Sequence, residues 1–211
     1  MDMPTIQTED VHSRAAADAL LGAASDGRAS EVAALLKRGV PVDVSDGQGN
    51  TPLLLATAHD RVEVARVLLA AGADVNRQNR IHDSAYLLAG ASGRLEILRL
   101  TLANGADLRS TNRYGGTALI PACERGHVEV VETLLEAGVD PDHVNRLGWT
   151  GLLEAILLSD GGPRHQAVVQ RLIDAGANLD LADNDGVTPL QHARQRNQTT
   201  IARMLEAAGA H

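Results

Sequence analysis

One spacing governs this chain. Thr51-Pro52-Leu53, Ser84-Ala85-Tyr86, Thr117-Ala118-Leu119, Thr150-Gly151-Leu152 and Thr188-Pro189-Leu190 begin 33, 33, 33 and 38 residues apart. Gly39, Gly72, Gly105, Gly138, Gly176 and Gly209, each closing an apolar run, keep the same intervals and add a further 33. Two independent markers on one clock specify a repeat architecture, in which each unit is too short to bury its apolar face alone and must stack on its neighbours. Run back from Thr51, the same offset reaches Asp18, ahead of Ala19-Leu20-Leu21-Gly22-Ala23-Ala24, a degenerate first copy. Six copies are expected.

Each copy reads as one small helical unit. A polar turn such as Asp46-Gly47-Gln48-Gly49-Asn50 or Asn112-Arg113-Tyr114-Gly115-Gly116 opens it, its glycines permitting positive φ. Thr then serves as a helix N-cap, with Pro at the first helical position where present. A short helix from Leu53 to about Ala58 follows, then a tight turn near Gly93 or Gly126, then a second helix such as Val128 to Leu135. Gly138 and its counterparts are expected to stop that second helix in the left-handed conformation.

The 33-residue period, Thr-Pro-Leu, the run Gly126-His127-Val128-Glu129-Val130-Val131 and the phrase Gly72-Ala73-Asp74-Val75-Asn76 resemble ankyrin repeats over about residues 18–210. The resemblance implies an all-α fold, an ankyrin-repeat solenoid of stacked helix-turn-helix units with projecting β-turn or hairpin fingers. The copies are expected at about 18–45, 46–78, 79–111, 112–144, 145–182 and 183–210, after an N-terminal extension over 1–17 that starts a capping helix. The 38-residue interval places five extra residues in copy five, near 159–163, as an insertion between its helices. Three departures stand out: copy three lacks the Pro, copy five has Gly151 in its place, and the usual histidine after the Leu is absent throughout. Copies one and six look like caps, so the stack is expected to be complete.

Composition narrows the function. Lys and Arg number 19 against 27 Asp and Glu, and the net charge of −8 disfavours a nucleic-acid or anionic-membrane binder. The one cysteine, Cys123, excludes intrachain disulfides and multi-thiolate metal sites. The acidic start at Met1 to Asp10 has no apolar core of an export signal, so a cytoplasmic protein is expected, and a binding module of this kind is expected to be monomeric in isolation. With no Phe, one Trp and two Tyr, the core must be built from Ala, Leu, Val and Ile, and the placement of the few aromatics becomes informative.

In ankyrin stacks the turns project as fingers, and with the exposed first-helix positions they form a concave binding surface. Read through that resemblance, the finger positions are Gly47, Arg80, Arg113, Arg146 and Asn184, then Gln48, Ile81, Tyr114, Leu147 and Asp185, with Trp149 two further on in copy five. Arg80, Arg113 and Arg146 would supply charge-assisted bonds, and Ile81, Tyr114, Leu147 and Trp149 apolar anchors, the residue types of binding hot spots. The groove positions are Leu88, Pro121, Glu154 and His192, with Glu124 and Arg125 near the helix end. Glu154 replaces the Leu or Pro of other copies and stands to pair with His192 of the next unit or to contact a partner. The expectation is a non-catalytic module that binds a protein partner, one with an acidic surface, through copies three to five.

Two alternatives remain at this stage: a self-associating spacer, and a ligand-sensing or catalytic domain using Glu154, His192 and His143. Against catalysis, no metalloprotease, nucleophile-elbow or phosphate-loop motif occurs, and no cofactor or metal site is expected. His127 sits in the Gly-His turn, His82-Asp83 reads as a turn, and Cys123 beside Glu124 is expected to have a raised pKa. Glu63 with Arg66 and Glu96 with Arg99, three apart on second helices, read as a solvated back face.

Overall fold

The computed structural model describes residues 6–211, with side chains from Ser13 onward. Met1 to Thr5, the start of the expected N-terminal extension, lie outside the described residues. Among the described residues there are twelve α-helices and no strand: α1 (Ile6–Asp26), α2 (Ala29–Lys37), α3 (Pro52–Ala58), α4 (Val62–Ala70), α5 (Ala85–Ala91), α6 (Leu95–Ala103), α7 (Leu119–Glu124), α8 (Val128–Glu136), α9 (Gly151–Leu157), α10 (Pro163–Asp174), α11 (Pro189–Gln195) and α12 (Thr199–Ala207). None of them is long and apolar enough to cross a membrane.

The described residues divide into two compact units, 6–88 with 100–106 and 89–99 with 107–211. In the first, α1 packs on α3 and α2 on α4, and each pair is closed by α1 on α2 and α3 on α4. In the second, α7, α9 and α11 stack as one layer and α8, α10 and α12 as the other. Such short helices stack closely because one alanine per copy, Ala56, Ala89, Ala122, Ala155 and Ala193, is wholly buried on the first helix. Leucine, isoleucine and valine fill the space around it, including Leu119, Leu134, Leu152, Ile156, Val168 and Leu172 in the second unit.

The first helices start as the sequence dictates in four copies. The hydroxyls of Thr51, Ser84, Thr150 and Thr188 accept from the backbone N–H three residues on, at 3.1–3.3 Å, and Gln191 closes a reciprocal bond to the Thr188 amide. Copy four differs. Leu55, Leu88, Glu154 and His192 donate their amides to the capping residue's carbonyl, but their counterpart is Pro121, which has no N–H to give. That backbone bond is missing, α7 begins one residue later than its counterparts, at Leu119, and the buried Thr117 hydroxyl has no hydrogen-bond partner.

The five extra residues of copy five are distributed otherwise than expected. Residues 125–127 separate α7 from α8 whereas 158–162 separate α9 from α10, so the turn takes two of them. The other three lengthen α10 at its start, so that it runs 12 residues from Pro163 against the 9 of α8. Pro163 suits the first helical position, and Gln166 Nε2 donates to the Gly161 carbonyl at 2.8 Å, tying the turn down.

The layers are also bonded edge to edge. In the first unit Arg61 Nε donates to the Ser25 carbonyl at 3.0 Å. In the second, the corresponding positions are His127, bonded to the Ala91 carbonyl, His165, whose Nε2 lies 2.8 Å from the Glu124 carbonyl, and Gln198, whose Nε2 donates to the carbonyls of Ile156 and Ser159 at 2.9 and 3.1 Å. Each satisfies a carbonyl left over at the end of the preceding first helix. The ion pairs expected on the second helices are present and exposed, Arg66 with Glu63 at 3.5 Å and Arg99 with Glu96 at 3.1 Å.

Candidate functional site

Every finger is built on one side chain that sequence reasoning passed over. Asp46, Asn79, Asn112, Asn145 and Asp183 open the five turns, and each uses one side-chain oxygen to accept from the amides two and four residues on, at 2.8–3.1 Å. This is the local bonding for which Asn and Asp favour turns. The fourth residue takes positive φ, 74–82° at Gly49, Gly115, Gly148 and Gly186 and 61° at His82. Asp or Asn at 46, 79, 112, 145 and 183 keeps the 33, 33, 33, 38 clock, so the signal was present in the sequence.

The scaffold thrusts the third residue outward. Ile81, Tyr114 and Leu147 are 49%, 54% and 52% exposed, and they are three of the five large apolar side chains left exposed among the described residues. In the second unit the Arg113 guanidinium lies 4.8 Å from the centre of the Tyr114 ring, a cation–π contact. Arg146 is partly committed to structure: its amide donates to the Tyr114 carbonyl and its Nη1 to the Arg113 carbonyl, both at 2.9 Å. Trp149 is half-buried, with its amide bonded to Asn145 at 3.1 Å. In the first unit Arg80 is exposed, and its amide donates to the Gln48 carbonyl at 3.0 Å.

On the first helices, Arg125 is exposed and donates through Nη1 to the Ala91 carbonyl at 2.7 Å, while Glu124 is half-buried. Glu154 does not pair with His192. Its Oε1 accepts from Asn145 Nδ2 at 2.8 Å, and His192 Nε2 instead lies 2.7 Å from Asp183 Oδ2. Glu154 and His192 occupy the same repeat position, so each reaches the base of its own finger rather than its counterpart one layer away. The polarity is inverted between copies: an amide donates to an acid in copy five, and a histidine bonds to an acid in copy six. Asp183 is held below the usual carboxylate range, chiefly by the Val187 amide and then by His192.

Glu154 is only 6% exposed, and burial pushes its pKa from 4.5 up to about 7; neighbouring Glu124 adds to the rise and the Asn145 bond opposes it. Because the folded state holds this proton more tightly than the unfolded chain, its stability contribution is fully present below the ordinary carboxylate pKa and is lost as pH rises through about 7. Glu154→Gln is therefore expected to stabilise the fold by on the order of 1–2 kcal/mol at pH 8 and to be neutral near pH 4. Urea unfolding at the two pH values checks this.

Cys123 is fully buried and its thiol pKa is raised, by burial first and then by Glu154 rather than by the adjacent Glu124. His143 Nε2 lies 2.7 Å from the Gly115 carbonyl, bracing one finger against the next. The described residues contain no group of three His, Cys, Asp or Glu side chains arranged to hold a metal. A cavity of about 460 Å³ in the second unit, lined by Gly93, His127, Glu129 and Arg164 among others, lies at the helix-to-helix turns and not at the fingers.

Known proteins share this construction. The family model for ankyrin repeats matches residues 6–79 and 86–162. An ankyrin repeat domain from Acinetobacter baumannii is 53% identical with a TM-score of 0.88, covering 91% of this chain and 98% of its own. The ankyrin repeat protein EF0377 is 42% identical with a TM-score of 0.87, over 92% of this chain and 98% of its own. The ankyrin repeat domain of Bcl-3, a member of the IkappaB family, is 30% identical with a TM-score of 0.82, over 92% and 86%. The putative ankyrin repeat protein YahD of Escherichia coli is 53% identical over 58 residues, which span 28% of this chain and 29% of that protein. Matched along most of its length in sequence and structure, the chain belongs to the ankyrin repeat family, whose members are generally non-enzymatic modules for protein–protein interaction.

Proposed function

We propose that the chain is a non-catalytic binding module that engages a protein partner through the fingers and first-helix face of its second unit, with Arg113, Tyr114, Arg146, Leu147 and Trp149 at the fingers and Glu124, Arg125 and Glu154 on the helices. Arg80 and Ile81 offer the same pair of residue types on a finger of the first unit. The observation that carries this reading is the exposure of Tyr114 and Leu147 on turns whose backbone is fixed by side-chain bonds. A chain with no Phe, one Trp and two Tyr spends an aromatic residue on a solvent-facing tip, where it loses about 1–2 kcal/mol of burial unless something covers it. Rigid apolar tips bind with little conformational entropy to lose. The guanidinium of Arg113 stacked on Tyr114 favours a partner with acidic groups around an apolar centre.

Tyr114→Ala with Leu147→Ala removes both tips without touching a buried contact, so helicity and melting temperature are expected to hold. Immobilised wild type, this double variant and a second-helix control, Glu129→Ala, are compared for capture from a matched lysate. A protein retained by wild type and control but reduced at least about tenfold on the double variant supports the finger surface. Equal retention by all three rejects it.

A further inference from the structure

Glu154 does not belong in its surroundings. Its neighbours in α9, Leu152, Leu153, Ala155 and Ile156, are wholly buried, and Leu55, Leu88 and Pro121 hold the same position in preceding copies. A carboxylate at 6% exposure ordinarily carries a cation or a full set of donors. Glu154 has one donor, Asn145 Nδ2 on Oε1, and its Oε2 makes no hydrogen bond or ion pair with any described residue. That oxygen is also not sealed in, since it is absent from the fully enclosed, unsatisfied polar atoms. The charge it feels is another acid, Glu124, which makes no ion pair within the described residues either. Arg125, next in sequence, is turned to the Ala91 carbonyl.

We infer that the first-helix face of the second unit receives a lysine or arginine side chain of the protein partner, its cation seated on Glu154 Oε2 with Glu124 beside it. This rests on the reading of the fingers as a binding surface and names the specificity element at their base. An ammonium or guanidinium supplies the donor that Oε2 lacks and relieves the repulsion between two acids, whereas a neutral side chain does only the first. The raised pKa of Glu154 fits a site that exchanges its proton for a cation on binding. Asn145 opens the finger that carries Leu147, so the cation seat and the apolar tip share one rigid turn. The partner segment therefore combines one basic anchor with the acidic and apolar groups suited to the tips. Leu at this position, as in copies two and three, would pack better and discriminate nothing.

The probe is a phage-displayed library of random dodecapeptides selected on the full chain, the enriched peptides then being titrated by fluorescence anisotropy. The expected result is one indispensable Lys or Arg per peptide, whose replacement by norleucine weakens binding to wild type by about tenfold or more but to Glu154→Gln by less than about twofold. Glu154→Gln is expected to be the more stable form, so its loss of binding is not a loss of folding. Peptides without a basic residue, or a norleucine penalty unchanged in Glu154→Gln, overturn the cation seat. Peptides lost on Tyr114→Ala with Leu147→Ala yet indifferent to Glu154→Gln overturn the seat alone and leave the fingers standing. Recovery of no binder overturns both.

Discussion

Gly93→Ala is expected to destabilise the protein by about 2–4 kcal/mol, the sum of a left-handed backbone penalty and an overpacking penalty. Gly93 has φ of +70°, and a Cβ placed there would stand 2.7 Å from Nδ1 and 2.8 Å from Cε1 of the His127 ring. Swinging the ring away breaks its bond to the Ala91 carbonyl and leaves that carbonyl with the Arg125 guanidinium as its donor. Gly105→Ala is the matched control. Its φ is +84° with nothing within 4 Å of the added carbon, so only the backbone term of about 1 kcal/mol applies. The difference between the two variants in urea unfolding isolates the clash. If they lose the same stability, the glycine before the turn serves backbone freedom alone and the edge bonds between layers contribute little.

Asn145→Asp is the second large effect, and its sign depends on pH. The new carboxylate keeps the acceptor that the Leu147 and Trp149 amides need, but it replaces the donor on Glu154 with a like charge. At pH 8 both acids are ionised and a loss of about 2–3 kcal/mol is expected; at pH 5 the pair shares a proton and the loss is smaller. Copy six already contains the remedy, Asp183 with His192 at 2.7 Å. Asn145→Asp combined with Glu154→His transplants that pair and is expected to recover most of the stability at both pH values. A double variant that is as unstable as the sum of its parts would mean the two positions do not act through one bond.

The helix pairs and the exposed tips were legible because they depend on local chemistry. Thr51, Thr150 and Thr188 cap whatever helix follows them, Gly138 and its counterparts end the second helices at positive φ, and the fingers fold on bonds spanning only a few residues. The Asp and Asn residues at the finger bases were equally legible, since they keep the same clock as the capping residues. Copy four departs from the cap its Thr117 signals: Thr117 carries the capping residue type, but Pro121 has no amide to donate to its carbonyl and the Thr117 hydroxyl is left without a partner.

The sequence by itself determined which positions are equivalent: a period of 33 places Leu55, Leu88, Pro121, Glu154 and His192 at one site of successive units. Only the tertiary structure decided what each of them touches. Equivalence cannot say whether Glu154 reaches across to His192 or down to Asn145, because both partners lie at fixed offsets and either pairing satisfies the periodicity. The folded unit settles it: Glu154 meets Asn145 at 2.8 Å and His192 meets Asp183 at 2.7 Å, each bonding nine residues back to its own finger base. Stacking of the units packs the first helices around wholly buried alanines. The same stacking buries Glu154 without a cation, a consequence of packing distance that no spacing along the chain records.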